Sequence, residues 1–280
     1  MRLSQKKLRK TIRGVVFYTV LVILLIVFLF PIAYALITSF KPPVLAESPI
    51  PYIIFKPTLN NYRTLFIQED YERFFLNSIV ISVVTVVLSL LVGVPAAYSL
   101  SRRRFKGQGW VMLWVLSSRI LPPVGTIIPF YLAFIKLGLI DTHIGLIIVF
   151  LTFNISLVVW IMAAFFDQIP RELDEAAIID GCSVTGAFTR VVLPLTAPGL
   201  ATTAIFCFLN AWNNFFYPLV LTRRQAATVP LALTTFLGSY LVDWGAIMAG
   251  ASLLILPLLI FALLVRRYIV EGLTQGALKG

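Results

Sequence analysis

The sequence predicts an all-α membrane protein with six transmembrane helices. Hydrophobic residues make up 59% of the 280-residue chain and charged residues only 12%, about half of the charged share that is usual in soluble proteins. Six apolar runs are each long enough for a helix to cross the hydrocarbon core, which takes about 20 residues. A soluble domain of this length could not bury so much apolar surface, so we expect most of the chain to lie in a membrane.

The six spans follow in chain order from the apolar runs and their polar boundaries. A basic segment, residues 1–13, precedes the first run, which is too long for a signal peptide and lacks a cleavage site of small residues. We therefore expect a retained anchor, a transmembrane domain over 14–265 and a short polar tail over 266–280. The predicted spans are 14–40, 76–100, 110–136, 144–166, 199–221 and 244–265.

The distribution of Lys and Arg predicts that the N- and C-termini are both cytoplasmic. With the N-terminus inside, 15 bases lie in inner segments and seven in outer segments, while Arg119 lies within a span. Inner segments of membrane proteins carry the excess of bases. The net charge of +11 is therefore interpreted as a signal of membrane orientation, and no nucleic-acid partner is expected.

Residues 168–198 form a polar loop between the fourth and fifth spans, on the predicted cytoplasmic side. Acidic residues that include Asp174 and Glu175 mark the start of a helix, because acids stabilise its positive N-terminal end. Ala176 and Ala177 favour the helix, and their small side chains let a partner surface approach closely. This first helix of the loop is therefore suited to contact with another protein.

A turn and a second short helix are predicted to follow. Gly181 suits a helix end or close turn, where a side chain would clash or strain a left-handed backbone. The second helix is expected over roughly 184–191, with Phe188 and Val192 four apart on one face. Pro194 then directs the chain into the next span. A helix-turn-helix of this kind would form a rigid knob that could enter a cleft.

The spacing of this loop resembles the EAA signature of bacterial ABC importer permeases. That signature is Glu-Ala-Ala, three residues, Gly, nine residues, a branched aliphatic residue, any residue and Leu-Pro, and this chain has Val191 where the family usually has Ile. The resemblance implies that the loop, hereafter the EAA loop (168–198), receives force from a separate ATPase. The coupling residues that it implies are Asp174, Glu175, Ala176, Ala177, Asp180, Gly181, Phe188, Leu193 and Pro194.

The resemblance extends over roughly residues 15–280. The segments LGLIDTHIGLII, FFDQIPRELDEAA and AWNNFFYPLVL and the tail RRYIVEGLTQGALKG are similar to the smaller permease subunit of maltose-type carbohydrate importers. This implies a type I ABC importer fold with an added N-terminal helix, in a multi-pass protein of the bacterial cytoplasmic membrane. It also implies a second homologous permease, two ABC ATPase subunits, an extracytoplasmic solute-binding protein and a sugar or polyol that enters the cytoplasm by alternating access. ATP and Mg would bind to the ATPases, and this chain would hold no cofactor.

Polar residues inside the spans are candidates for a substrate path, since each is costly in lipid. Asn210, Asn213 and Asn214 would share one helix face, with Trp212 and Tyr217 beside them. Amides and aromatic rings can bind the hydroxyls and the apolar face of a sugar. Asparagines also bond helices to one another in membranes, and the sequence leaves both interpretations open.

Arg119 and Asn154 are further candidates for the path. Arg119 lies near the middle of its span, and no acid in any predicted span could pair with it. It could bind carbonyls freed by Pro122 and Pro123, face a wet cavity or meet the solute. In the maltose-type family the partner permease can supply most substrate contacts, so a structural or gating role is an alternative for these residues.

Other functions lack their residues in this sequence. There is no G-x-x-x-x-G-K-[S/T] loop, so we do not expect the chain to hydrolyse ATP. The single histidine, His143, is expected in an outer loop, and Cys182 and Cys207 form no metal or redox spacing, so no catalytic or metal site is expected. A secondary transporter would need a coupling acid in a span, and a membrane-embedded enzyme would need a catalytic constellation. An ABC permease for a non-carbohydrate solute stays an alternative.

Overall fold

The computed structural model describes residues 2–68, 70–103, 105–237 and 242–277, and these residues are almost entirely helical. The helices are α1 (Arg2–Ser39), α2 (Pro43–Ala46), α3 (Asn60–Gln68), α4 (Tyr71–Arg102), α5 (Gln108–Ile120), α6 (Pro123–Leu137), α7 (His143–Asp167), α8 (Glu172–Ile179), α9 (Val184–Ala187), α10 (Leu193–Leu195), α11 (Ala197–Trp212), α12 (Phe216–Leu221), α13 (Val229–Ala232) and α14 (Trp244–Ala277). A π-helical turn, Phe188–Val192, joins α9 to α10, and a 3-10 turn, Leu233–Phe236, follows α13. The predicted all-α class is confirmed. Met1 and the last three residues of the predicted tail, 278–280, lie outside the described residues.

Four to six spans can be recognised in the described part of the chain. The four continuous ones are Ile12–Ser39 within α1, all of α4, all of α7 and Trp244–Phe261 within α14. Two bent pairs would bring the number to six: α5 with α6, which meet at 90°, and Val184–Leu195 with α11, which meet at 79°. Residues 1–13, predicted as a separate basic segment, continue the same helix as the first span from Arg2 onward.

The predicted third span, 110–136, is sharply bent at its middle. Helix α5 ends at Ile120, Leu121 is extended (φ −62°, ψ 125°), and α6 begins at Pro123. A residue that precedes proline is pushed out of the helical region, and proline suits the first helical position because it has no amide to donate. The Pro122–Pro123 pair therefore breaks the helix, and Arg119 lies one residue before the end of α5.

The predicted span 199–221 is not one continuous helix. Helix α11 ends at Trp212, Asn213 is its C-terminal cap, and α12 begins at Phe216. The Asn214 side chain accepts a hydrogen bond from the Tyr217 amide at 3.2 Å. Asparagine favours such local bonds to the backbone over a helix interior, so the bond of Asn214 favours the break that follows Asn213.

The chain divides into two units, Met1–Asp70 with Thr235–Ile255 and Tyr71–Thr234 with Leu256–Gly280. In the first unit, the Asn61 amide donates to the carbonyls of Ser39 and Lys41, each at 2.8 Å, and so fastens α3 to the end of α1. None of the apolar 18-residue stretch within Ile12–Ser39 is buried in this chain. Such an exposed apolar helix suits contact with lipid or with another subunit.

The second unit is built around α4 and α7, which run parallel. Near their starts, His143 Nε2 lies 2.7 Å from Asn77 Oδ1, and near their ends Ser101 donates to Asp167 at 2.5 Å. Gly93 lets the two helices approach closely, because a Cβ there would lie 2.6 Å from a Val158 methyl group. Small residues at helix contacts are the usual means of close packing in membranes.

Helix α11 packs on α7 through a second such contact. A Cβ at Gly199 would lie 2.4 Å from the Phe165 ring. The core of this unit brings together buried apolar residues of α4, α6, α7, α11 and α12, namely Ile81, Ile127, Phe134, Leu146, Val149, Phe150, Ala211, Tyr217 and Leu221. The polar side chains considered below are therefore held on a closely packed scaffold.

Candidate functional site

The first half of the EAA loop is a capped helix with a defined turn. Helix α8 carries Glu172, Asp174 and Glu175 in its first turn, where acids are favoured. Gly181 follows its C-cap, Asp180, with φ +90°. The Gly181 amide donates to Ile178 O and the Cys182 amide to Ala177 O, both at 3.0 Å. This pair of bonds is a Schellman motif, so the left-handed conformation predicted at Gly181 is confirmed. A Cβ at Gly181 would meet nothing within 4 Å in this chain, so the expected clash is absent among the described residues.

The second half of the loop is a longer helical run than predicted. The Ser183 hydroxyl caps α9 by accepting from the Gly186 amide at 3.1 Å. The run then continues through the π-helical turn and α10 as far as Leu195. Pro194 lies inside this run, and the 79° bend into α11 comes after it, at Thr196. Proline is tolerated in the first turn of a helix, which explains why Pro194 does not itself end the run.

The two faces of α8 have different environments. Asp174 and Ala177 are buried, whereas Glu175, Ala176 and Asp180 are exposed. Ile179, at the C-terminal end of α8, is 84% exposed. The exposed face therefore combines small and apolar side chains with two acids, which is the composition expected of a surface that docks on a partner.

The buried face of α8 is fastened to the end of α4 by an ion pair that the sequence pattern did not predict. Asp174 Oδ2 lies 2.8 Å from Arg102 Nε, and both side chains are 11% exposed. The Tyr98 hydroxyl donates to the other oxygen of Asp174. We call Tyr98, Arg102 and Asp174 the Asp174 cluster. Its partners are 76 and 72 residues apart in sequence, so no local spacing could have revealed them.

Further bonds connect the same elements around the Asp174 cluster. Arg171 Nη2 donates to Ser101 O at 2.9 Å, and Arg102 Nη1 donates to Phe166 O at 3.0 Å. Phe188 packs on Tyr98, with ring centroids 4.6 Å apart, and on Phe166, at 6.1 Å. Phe188 therefore links the second half of the EAA loop to α4 and α7.

Val192, which is predicted to share a helix face with Phe188, and the neighbouring Leu193 differ in burial. Val192, four residues after Phe188, is fully buried, and Leu193 is half-buried and lines an apolar groove beside α4. Pro194 is exposed. Phe188 and Val192 thus both face the interior of the second unit.

The opposite end of this unit is organised by Asp141. Its carboxylate accepts four backbone hydrogen bonds, from Arg223, Arg224, Gln225 and Ala226, at 3.0 to 3.2 Å. Partial burial alone would raise the pKa of the Asp141 carboxyl, but these four bonds outweigh it and hold the pKa below its ordinary value. The loop after α12 is thereby held in one conformation.

His143 belongs to this end as well. It is the first residue of α7 rather than a loop residue, and its ring bonds to Asn77, whose amide donates to Gln225 O at 2.8 Å and Ala227 O at 2.9 Å. The described groups around His143 therefore serve the packing of the 222–228 loop.

Four of the seven predicted path residues line one cavity. The cavity has a volume of about 160 Å³ and lies at the bend between α5 and α6 and at the break between α11 and α12. Its lining residues are Arg119, Leu121, Pro123, Phe153, Asn210, Asn214 and Tyr217. No hydrogen bond or ion pair joins Arg119 to the residues that the structure describes. Of the three roles left open for Arg119, the bond to a freed carbonyl is therefore not formed within them.

Asn154 does not line this cavity but bonds to Asn210, which does. Asn154 is fully buried, and its Oδ1 accepts a hydrogen bond from Asn210 Nδ2 at 2.8 Å. Its own amide donates to Cys207 O at 3.2 Å. Asn154 and Asn210 thus bond α7 to α11, which is the helix-bonding role that the sequence left open. Tyr217 is similarly held, with its hydroxyl 2.8 Å from Thr126 Oγ1.

Trp212 and Asn213 lie apart from the cavity lining. The Trp212 ring is buried and packs on Phe208 and Phe75, with centroid distances of 5.4 and 5.7 Å. Asn213 is exposed at the end of α11. The shared helix face predicted for Asn210, Asn213 and Asn214 is wrong, because the helix ends between the first and the other two. Asn214 reaches the cavity from the break instead.

Comparison with known proteins identifies the family to which this chain belongs. The model of the family described as "binding-protein-dependent transport system inner membrane component" matches residues 89–275, which include the EAA loop, the Asp174 cluster and the cavity. This chain belongs to that family. It is accordingly a transmembrane permease subunit of an ABC importer, as the EAA signature implied.

Similar permeases cover nearly the whole chain. It is 35% identical to the trehalose/maltose transport system permease protein MalG of Thermococcus litoralis over 92% of this chain and 94% of that one. It is 38% identical to the trehalose transport system permease protein SugB of Mycobacterium tuberculosis over 80% of this chain and 82% of that one. A chain of a bacterial ABC transporter involved in the import of the acidic polysaccharide alginate has the same fold, with a TM-score of 0.77, 26% identity and coverage of 92% and 96%. The type I importer fold is therefore confirmed for this permease.

Proposed function

We propose that this permease moves a sugar or polyol into the cytoplasm by alternating access, driven by ATP hydrolysis in separate subunits. The observation that carries the proposal is the EAA loop, a capped helical knob with an exposed face and a buried bond to α4. Relatives named for trehalose and maltose transport support a carbohydrate. The cavity supports it as well, since amides and aromatic rings converge there.

The partners follow from the family and from the exposed surfaces of the chain. A second homologous permease would face the cavity, which this subunit closes on one side. Two ABC ATPases would bind ATP and Mg and engage the exposed face of α8, and an extracytoplasmic binding protein would deliver the solute. This chain itself would hold no cofactor and hydrolyse no ATP.

We expect the EAA loop to lie in the cytoplasm, because the distribution of bases in the second unit favours that orientation. Within the second unit, residues 102–103 and 105–107 and the EAA loop lie at one end, as the bonds from Arg171 to Ser101 and from Gln108 to Leu100 indicate. The loop that carries Arg223 and Arg224 lies at the other end, with Asp141. The first end carries more bases, which favours the cytoplasmic side. Both termini of the permease would then be cytoplasmic.

In this mechanism the Asp174 cluster would transmit movement of the EAA loop to the spans. Movement of α8 with the ATPases would pull on Asp174, which is bonded to Arg102 and Tyr98 in α4. Since α4 and α7 are closely packed and parallel, they would move as one body. Such a pair is the kind of discrete element that coupling requires. The cavity, which lies between α5, α7, α11 and α12, would open and close as that body turns.

The function is tested by reconstitution of the assembled importer in proteoliposomes. Candidate binding proteins, each loaded with a defined solute such as trehalose, maltose or a polyol, are added and ATP hydrolysis and solute uptake are measured. We expect one loaded binding protein to stimulate both, and we expect the permease alone to show neither. ATP turnover by the purified permease without partners, or stimulation only by non-carbohydrate solutes, would contradict the proposal.

Asn214 and Asn213 offer a matched pair for the substrate path. Asn214→Leu is expected to lower uptake up to about tenfold, since it removes one hydrogen bond to a neutral ligand, while the yield of assembled complex stays unchanged. Asn213→Leu, at the exposed cap of α11, should transport like the native permease. Asn214→Ser keeps an oxygen for the Tyr217 amide and separates the loss of local capping from the loss of solute contact. If all three variants showed native uptake, the substrate contacts would belong to the partner permease.

A further inference from the structure

An apolar groove runs along one side of α4 toward the EAA loop. It has a volume of about 350 Å³ and is lined by the side chains of Val87, Leu91, Val94, Leu193 and Leu200, with Pro95 and Phe188 at one end. Leu91 is 65% exposed and Val87 is 48% exposed in this groove. Open apolar side chains in a concave surface of this kind fit an alkyl chain.

The groove adjoins a basic cavity, with which it shares two lining residues. Pro95 and Phe188 also line a second cavity, of about 470 Å³, which reaches Arg102, Arg103 and Arg171 beneath the EAA loop. Taken together, the two adjoining cavities are apolar at the α4 end and basic at the loop end, and we call them the composite site. An elongated ligand with an apolar chain and an anionic head would match both ends.

The length of the composite site along α4 matches the thickness of one leaflet of a bilayer. Val87 and Arg102 are 15 residues apart on α4, about 22 Å at 1.5 Å per residue. Half of the hydrocarbon core is about 15 Å, and the headgroup region adds roughly 5–7 Å on each side. A phospholipid with its chains beside Val87 and Leu91 would thus have its phosphate level with the arginines.

At the basic end, Arg103 and Arg171 are the two arginines that can bind such a phosphate. Asp174 is neutralised by Arg102 at 2.8 Å, and Glu175 is the other acid in the lining. Arg103 is exposed, and Arg171 is exposed and uses one nitrogen to bond Ser101 O. Thr185 and Thr189 lie in the same lining and supply hydroxyl groups. The three arginines outnumber the two acids, so the cavity attracts an anion.

We propose that this composite site binds one anionic phospholipid, with an acyl chain in the groove beside α4 and the phosphate at Arg103 and Arg171. Basic pockets between transmembrane helices near the cytoplasmic surface are suited to anionic lipid headgroups. A lipid in this position would contact Phe188 and α4 together. It would therefore join the EAA loop to the membrane at the point where the loop is fastened to the spans.

The test uses the assembled importer, delipidated in detergent and titrated with dioleoyl-phosphatidylglycerol or dioleoyl-phosphatidylcholine. Bound lipid is counted by native mass spectrometry. Each basic side chain near an anionic headgroup contributes about fivefold in affinity, so Arg103→Gln with Arg171→Gln should weaken phosphatidylglycerol binding about 25-fold. Replacement of both by lysine should retain most of the binding, because the charge is kept. Leu91→Trp should fill the groove and weaken the binding of both lipids.

Arg223→Gln with Arg224→Gln is the matched control, because it removes two positive charges at the other end of the unit. Its phosphatidylglycerol binding should stay within about twofold of the native importer. Equal affinity for the two lipids, an equal loss in the control pair, or no effect of Leu91→Trp would overturn the proposal. So would a photo-cross-link to the partner permease from benzoylphenylalanine placed at position 91, with no lipid retained, since the groove would then be a subunit interface.

Discussion

Arg102→Met is expected to abolish coupled uptake and to lower the thermal stability of the permease. The substitution leaves the Asp174 carboxylate buried without its cation, and the loss of one partner of a buried ion pair costs about 3–5 kcal/mol. Since Asp174 lies in the first turn of α8, the helix that presents Glu175 to the ATPase would lose its fixed position. Uptake, stimulated ATP hydrolysis and the melting temperature of the assembled importer are the three measurements.

A second variant separates charge burial from simple loss of packing. Asp174→Asn combined with Arg102→Met removes both charges and keeps an oxygen to accept the Tyr98 hydroxyl. Because the uncompensated charge is gone, stability should recover relative to Arg102→Met alone. If Asp174 is a positioning residue, stimulated ATP hydrolysis should recover less than stability does, because the ion pair with Arg102 is missing and only the bond to Tyr98 still joins α8 to α4. Native uptake by Arg102→Met would show that the loop does not act through α4.

Gly181→Leu is expected to uncouple ATP hydrolysis from uptake. The backbone there has φ +90°, and an L-residue with a side chain in a left-handed conformation costs roughly 1–2 kcal/mol. Relief of that strain would break the Schellman bonds from Gly181 to Ile178 and from Cys182 to Ala177. The angle between α8 and the run that begins at α9 would change as a result, and the knob would no longer fit its partner.

The control for this prediction is Gly181→Asn, because asparagine enters left-handed conformations more readily than other residues with a side chain. We expect Gly181→Asn to keep much of the native uptake while Gly181→Leu loses it, although both add a side chain in open space. Equal losses in the two variants would mean that a side chain blocks the ATPase contact itself. In that case steric exclusion at the interface, rather than backbone strain, explains the glycine.

The sequence by itself determined the class of the protein and most of its helices. The predicted spans 76–100 and 144–166 lie within α4 and α7, because a long apolar run in lipid must satisfy its backbone within one helix. The caps of the EAA loop were also readable, since Gly181 and the acids of α8 act on groups within a few residues. Capping interactions of this kind join residues that are close in sequence, so the sequence alone can predict them.

The tertiary structure alone decided which polar side chains meet. The bonds of Asp174 to Arg102, of Asn154 to Asn210 and of Asp141 to the 223–226 backbone join residues 56 to 85 positions apart. Such pairs depend on how helices pack, which hydrophobic periodicity does not specify. The break at 213–215 escaped prediction because an apolar run can satisfy the length of a span and still be interrupted by two asparagine side chains. The Asn214 side chain bonds to the Tyr217 amide, and whether such a local bond replaces the helical one depends on the packing of the surrounding helices, which a single sequence does not specify.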